Sequence, residues 1–129
     1  MIARIGVTNL GIYTIIGINR IERIIPQKVL INLQFDADTG RSSRTDSIDD
    51  TVNYRTLVKT IIREVRQARF NLLEKLADHI LNIIKRDERI VKALVRVDKP
   101  GALRYAKSVY IEVAYDRASD QPDESFNAV

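Results

Sequence analysis

The 129 residues, 45% of them hydrophobic, are enough for one folded domain, and the lack of cysteine excludes disulfides, thiolate nucleophiles and cysteine-based zinc sites. The formal charge of +4 is uneven, because residues 116–129 hold Asp116, Asp120, Asp123 and Glu124 against Arg117, which leaves 20 cationic and 13 acidic side chains in the first 115 residues. That surplus suits nucleic acid, an anionic membrane surface or a small polyanion without choosing among them.

At the N-terminus, apolar residues recur at every second position over residues 3–7 and again over 10–16, with the phase switching near Thr8 and Asn9. This predicts a long strand with a bulge, not a basic-then-apolar leader; with no run of 18 apolar residues, a cytoplasmic protein is expected. A loop over residues 17–26 follows. Then Val29, Ile31, Leu33, Phe35 and Ala37 share one face and Asn32, Gln34 and Asp36 the other, the pattern of a half-buried second strand in a hairpin. Residues 38–50, rich in Ser, Thr, Asp and Gly, read as a loop.

Leu57, Val58, Ile61, Ile62 and Val65 follow helical spacing, so an amphipathic helix is expected over residues 54–67 with Tyr54 in its first turn. A second helix begins near Asn71, which stands three residues before Glu74 as in a capping box, and Leu73, Leu76, Ala77, Ile80, Leu81 and Ile84 form its apolar stripe. Two further alternating segments, Val91, Ala93, Val95, Val97 and then Val109, Ile111, Val113, Tyr115, flank a Pro100-Gly101 turn. The expected fold is therefore α+β: a ββααββ antiparallel sheet of four strands with both helices on one face and a polar opposite face. Residues 1–116 make the domain, and the aperiodic residues 117–129 are expected to be a disordered acidic tail. Exposed sheet edges make an edge-to-edge ring plausible.

Four polar side chains on separate segments stand out: Glu22 in a loop, Tyr54 and Glu74 opening the two helices, and Lys99 at a strand end. Two acids, a phenol and an amine, with a single histidine, point to proton transfer without a metal. The segments that hold them, TIIGINRIERIIPQ, DDTVNYRTL, RFNLLEKLADHI and VDKPGALRYAKSV, resemble in the same order the signature segments of the dihydroneopterin aldolase family. NYRT, RFNLLEKL and ALRYAKSV are similar, more narrowly, to its dihydroneopterin triphosphate 2'-epimerase branch, whereas Lys99-Pro100-Gly101-Ala102 is aldolase-like.

The resemblance implies a tunnelling fold assembled into a ring-shaped barrel, a tetramer or octamer with sites between subunits. Tyr54 would then come from one chain, and Glu22, Glu74 and Lys99 from its neighbour. It implies a pterin substrate, no cofactor and no metal, and either epimerisation at C2' of the side chain or aldol cleavage. By spacing alone the cap is the simpler role for Glu74; the resemblance implies instead that its carboxylate, with the backbone of Leu73, anchors the pterin. It likewise gives Tyr54 the pterin face and a place in proton transfer, Lys99 the general acid/base role and Glu22 the side-chain hydroxyls. Arg20, Arg23, Lys28, Arg104 and Lys107 flank these residues in sequence as candidates for a triphosphate.

Zinc-dependent relatives need several His or Cys ligands, and His79 alone is present, which reads better as a helix residue at the core margin. A nucleic-acid module is disfavoured because the eight aromatics form no platform interleaved with Arg and Lys; neither nucleic acid nor membrane is expected as partner.

Overall fold

The computed structural model describes residues 1–119; the remainder of the expected acidic tail, residues 120–129, lies outside the described residues. In chain order the elements are β1 (Ile2–Ile16), β2 (Gln27–Asp38), a short α1 (Gly40–Thr45), a 3-10 turn (Ile48–Asp50), α2 (Tyr54–Gln67), β3 (Arg69–Phe70), α3 (Leu73–Lys85), β4 (Ile90–Pro100) and β5 (Ser108–Asp116).

The four expected strands pair antiparallel, and the two-residue β3 adds a parallel edge to β1, giving a mixed sheet in the order β3-β1-β2-β4-β5. Two residues are too few for a periodic signal, so β3 exists only because Ile15 and Ile16 lie alongside it. The bulge in β1 is where the phase switch put it: the register slips between Val7 and Leu10, and Asn9 takes a left-handed φ of 54°. A second irregularity falls between Asp36 and Ala37, so that Ile90 turns inward at the start of β4 and Val91 is only half-buried, against the simple alternation expected there.

In residues 38–50, expected to be a loop, the chain instead forms α1 and the 3-10 turn. A six-residue helix is marginal by itself. It is tied down at Asp50, which takes Arg41 Nε at 3.0 Å and Thr45 Oγ1 at 2.6 Å.

Leu57, Ile61 and Val65 of α2 and Leu76, Ala77, Ile80, Leu81, Ile83 and Ile84 of α3 are buried in one cluster with Val29, Ile31, Leu33 and Phe35 of β2 and Val95 and Val97 of β4. Each fully buried side chain of this size contributes about 1.5–3 kcal/mol. Within the core, Thr14 donates its hydroxyl at 2.8 Å to the Val65 carbonyl near the C-terminus of α2. The opposite face is polar: Arg4, Asp36, Lys92 and Asp116 stand opposite one another across four strands in alternating sign, with Arg4 Nε 2.9 Å from Asp36. Beyond the sheet, Arg117 donates to the carbonyls of Ile90 and Asp87 at 2.9 and 3.0 Å.

β1 is paired on its outer side only at Ile15 and Ile16, and β5 is paired on one side only, among the described residues. Both long edges of the sheet are therefore open to another strand.

Candidate active site

The β1–β2 loop and the end of β4 bring together two of the four sequence-selected polar residues, Glu22 and Lys99, and the segment leading into α3, which carries Glu74 in its first turn, is bonded to the same loop through Phe70. Lys99 lies in the inward phase of Ala93, Val95 and Val97, and its ammonium meets the Glu22 carboxylate at 2.5 Å, 77 residues away in sequence. Both side chains are largely removed from solvent, 13% exposed for Lys99 and 19% for Glu22.

Glu22 is held from several sides. Gln27 donates from Nε2 to Oε2 at 3.0 Å and also to the Ile16 carbonyl at 3.1 Å, while the Asn19 backbone N–H donates to Oε1 at 3.2 Å. The Lys99 hydrogen bond first, and that of Gln27 second, hold the Glu22 carboxyl down to about 2, so it is a carboxylate at neutral pH. Gly17, buried and at φ 124°, makes room for it: a Cβ there would stand 2.3 Å from Glu22 Cδ.

This half of the site is stitched to the segment before α3. Gly17 N–H donates to the Phe70 carbonyl at 3.1 Å, and Arg23 Nη1 donates to the same carbonyl at 2.8 Å and to that of Gly17 at 3.3 Å. In return, Arg69 Nη1 donates to the Arg23 carbonyl at 3.3 Å. Two residues beyond Phe70, α3 begins with Leu72 as its N-cap and no side-chain cap bond. The expected capping box of Asn71 and Glu74 is therefore absent: the helix starts one residue late for it. Glu74 is exposed in the first turn, and its side chain makes no hydrogen bond or ion pair among the described residues. Beside it, Leu73 is half-buried and lies in the turn whose N–H groups have no helical acceptor.

Tyr54 is the first residue of α2 and 56% exposed, with Asn53 capping the helix by accepting from the N–H groups of Arg55 and Thr56. The other end of α2 runs directly into β3, beside Gly17. A 14-residue helix is about 20 Å long, so the fold holds Tyr54 well away from Glu22 and Lys99 of its own chain.

The five flanking cations sort into different roles. Arg23 is committed to the loop as described, and Lys28 lies in the outward phase of β2 with its Cε against Gly11. Arg20, Arg104 and Lys107 are exposed and have no acidic partner among the described residues. His79 packs edge-on to Phe70 and meets Glu64 Oε1 at 3.1 Å through Nε2; Arg86 grips the same carboxylate with two bonds, and Arg86 and His79 hold Glu64 at about 2. No group of three potential metal ligands occurs among the described residues.

Gln27, Gly17 and Asn19 were not singled out by sequence reasoning. Gln27 carried a signal: it occupies the apolar phase of β2, two residues before Val29, where a polar side chain needs a partner.

The pattern of the family described as dihydroneopterin aldolase matches residues 5–114. The chain is 42% identical over 115 residues to a dihydroneopterin triphosphate 2'-epimerase of Pseudomonas aeruginosa, covering 89% of this chain and 94% of that one. It is 25% identical over 103 residues to the dihydroneopterin aldolase of Escherichia coli K12, covering 80% and 84%. Among solved structures, a putative dihydroneopterin aldolase from Vibrio cholerae superposes with a TM-score of 0.85 at 25% identity, over 89% of this chain and 98% of that one. The Escherichia coli dihydroneopterin aldolase in complex with neopterin superposes at 0.83 and 23% identity, over 88% and 98%, a likeness of fold.

Proposed function

The chain belongs to the dihydroneopterin aldolase family, and from that premise we propose that it epimerises 7,8-dihydroneopterin triphosphate at C2' of its side chain. The observation that carries the chemistry is the Lys99 ammonium resting on the Glu22 carboxylate, with an exposed, uncommitted Glu74 in the first turn of the helix whose lead-in segment is bonded to the Glu22 loop. The stronger identity to a named 2'-epimerase than to a named aldolase supports the choice of reaction.

In this reading the Glu74 carboxylate accepts two hydrogen bonds from the ring amide N–H and the 2-amino group of the pterin, with a further backbone contact at Leu73. Glu22 holds the side-chain hydroxyls and Lys99 carries protons between the C2' hydroxyl and the ring. Loss of the hydroxyl proton forms the C2' carbonyl and breaks the C1'–C2' bond, and the electron pair moves into the ring, which is protonated at N5. Re-addition of C1' to the opposite carbonyl face inverts C2'; protonation at C1' instead completes aldol cleavage. Aldolase activity is the second reading, favoured by the aldolase-like Lys99-Pro100-Gly101-Ala102 segment.

Tyr54 reaches this site only from another copy of the chain, given the length of α2. The open edges of β1 and β5, and the exposed Ile18, Ile21, Ile24 and Ile25 of the β1–β2 loop, support a ring of copies joined at these surfaces. A homotetramer or homo-octamer is the assembly proposed.

The test is to incubate the purified protein separately with dihydroneopterin triphosphate and dihydroneopterin and to separate the oxidised pterins by chromatography. Faster formation of the monapterin epimer from the triphosphate is expected. Faster release of 6-hydroxymethyldihydropterin from the unphosphorylated substrate would establish the aldolase instead.

A further inference from the structure

We infer that Arg20, Arg104 and Lys107 form a polyphosphate-binding rim beside the Lys99–Glu22 pair, and that this rim retains the triphosphate-bearing aldehyde after bond cleavage and so favours epimerisation over aldol release. The inference rests on the epimerase reading for its substrate.

These two loops carry a cationic surplus at the end of the sheet that holds the site. Residues 17–26 and 99–107 contain Arg20, Arg23, Lys99, Arg104 and Lys107 against the single carboxylate of Glu22, a surplus of four that equals the net charge of all 129 residues. The Lys99–Glu22 contact brings the two loops to one end of the sheet. Several cations elsewhere face acids, Arg4 on Asp36, Arg41 on Asp50, Arg86 on Glu64, Arg89 on Asp87 and Arg96 on Asp98. Those of α2 such as Lys59 and Arg66 are unpaired among the described residues but stand on a helix outside the two loops that hold the Lys99–Glu22 pair. Arg23 is occupied by backbone carbonyls and Lys28 faces the other side of the sheet, so neither belongs to the rim. Arg20, Arg104 and Lys107 are left exposed and without an acid among the described residues. Arg104 lies 5.7 Å from the ring of Tyr105, which is 94% exposed. Such a cluster fits a polyanion, which takes several charge-assisted hydrogen bonds at once.

The consequence for the reaction follows from where the triphosphate sits. It is esterified at C3', so breaking the C1'–C2' bond leaves C2' as a carbonyl on the same two-carbon fragment that carries the triphosphate. The electron pair is in the pterin, and the hydroxyl proton is on the site's base. A fragment held by its phosphates stays within reach while its carbonyl turns over, and C1' then adds to the opposite face with return of both protons. Glycolaldehyde from an unphosphorylated substrate has no such tether and leaves.

The experiment compares wild type, the triple variant Arg20→Ala/Arg104→Ala/Lys107→Ala and a charge-removal control on α2, Lys59→Ala/Arg66→Ala. Inorganic tripolyphosphate binding is measured by calorimetry, and the ratio of epimer to 6-hydroxymethyldihydropterin is measured from dihydroneopterin triphosphate. Removal of three charge-assisted contacts is expected to weaken tripolyphosphate binding about tenfold or more. The product ratio should shift toward cleavage, while kcat/KM for dihydroneopterin and both readouts of the control stay within about twofold of wild type. Unchanged tripolyphosphate binding and an unchanged product ratio in the triple variant would overturn the rim, as would an equal effect of the control. A wild type that binds tripolyphosphate through these residues but turns over neither pterin would leave the rim standing and sink the epimerase reading instead.

Discussion

The carboxylate of Glu22 lies directly over Gly17, so close that a Cβ on Gly17 would come within 2.3 Å of its Cδ and 2.4 Å of Oε1. The glycine also sits at φ 124° and donates its N–H to Phe70. One residue thus provides the turn out of β1, the bridge to the segment before α3 and the space for the acid of the site.

Gly17→Ala should therefore displace Glu22 and uncouple it from Lys99. A misplacement on the order of 1 Å costs roughly a hundredfold in turnover, and backbone strain at this φ costs about 1–3 kcal/mol of stability. Steady-state kinetics beside thermal unfolding checks this; full activity in the variant would show that the close packing has no bearing on the chemistry.

Lys99→Met should raise the Glu22 carboxyl from about 2 toward its ordinary value of 4.5, stopping short because Gln27 still donates. Because the folded value is the lower one, the wild-type pair stabilises the fold fully above about pH 4.5 and loses that contribution as pH falls toward 2. The variant should lose less stability over this window. Carbon-13 NMR titration of the glutamate carboxyls and unfolding at pH 3 and pH 7 read both effects.

Glu74→Ala and Lys99→Ala should separate binding from chemistry. Losing a bidentate carboxylate weakens pterin affinity by about 2–3 kcal/mol, whereas losing an acid/base group lowers turnover by roughly a hundredfold to ten-thousandfold with binding retained. Calorimetry with a pterin and single-turnover kinetics distinguish the two. An unchanged rate in Lys99→Ala would remove it from the proton relay.

Tyr54→Ala and Lys99→Ala, each of low activity alone, should complement when co-expressed. If every site takes Tyr54 from one copy and Lys99 from the next, random mixing restores about a quarter of the sites. No recovery would place both residues in a site made by one chain.

Thr14→Val removes the buried hydroxyl that donates to Val65 and leaves that carbonyl without it. Chemical denaturation should show a loss of about 1–3 kcal/mol. The Glu22–Lys99 pair lies outside this contact, so the Glu22 titration should be unmoved.

Much of the architecture was legible because alternation and helical spacing are local properties. The slip at Asn9, the buried faces of β2 and α2, and Tyr54 at a helix start all follow from residues near one another in sequence. The capping box failed because Asn71 and Glu74 have the right spacing, yet the connection from β3 makes Leu72 the N-cap. The short α1 escaped notice because its hold on Asp50 is a set of contacts, with no apolar stripe to announce it.

By itself the sequence determined the four main strands, the two amphipathic helices and the residue types of the site, since periodicity and side-chain chemistry are written along the chain. Only the tertiary structure decided that Lys99 meets Glu22 across 77 positions, that Gln27 holds that carboxylate and Gly17 makes room for it, and that Arg20, Arg104 and Lys107 have no acidic partner among the described residues. Those relationships depend on strand register and loop closure, which bring distant segments within hydrogen-bond range and leave no mark in the spacing of either segment alone.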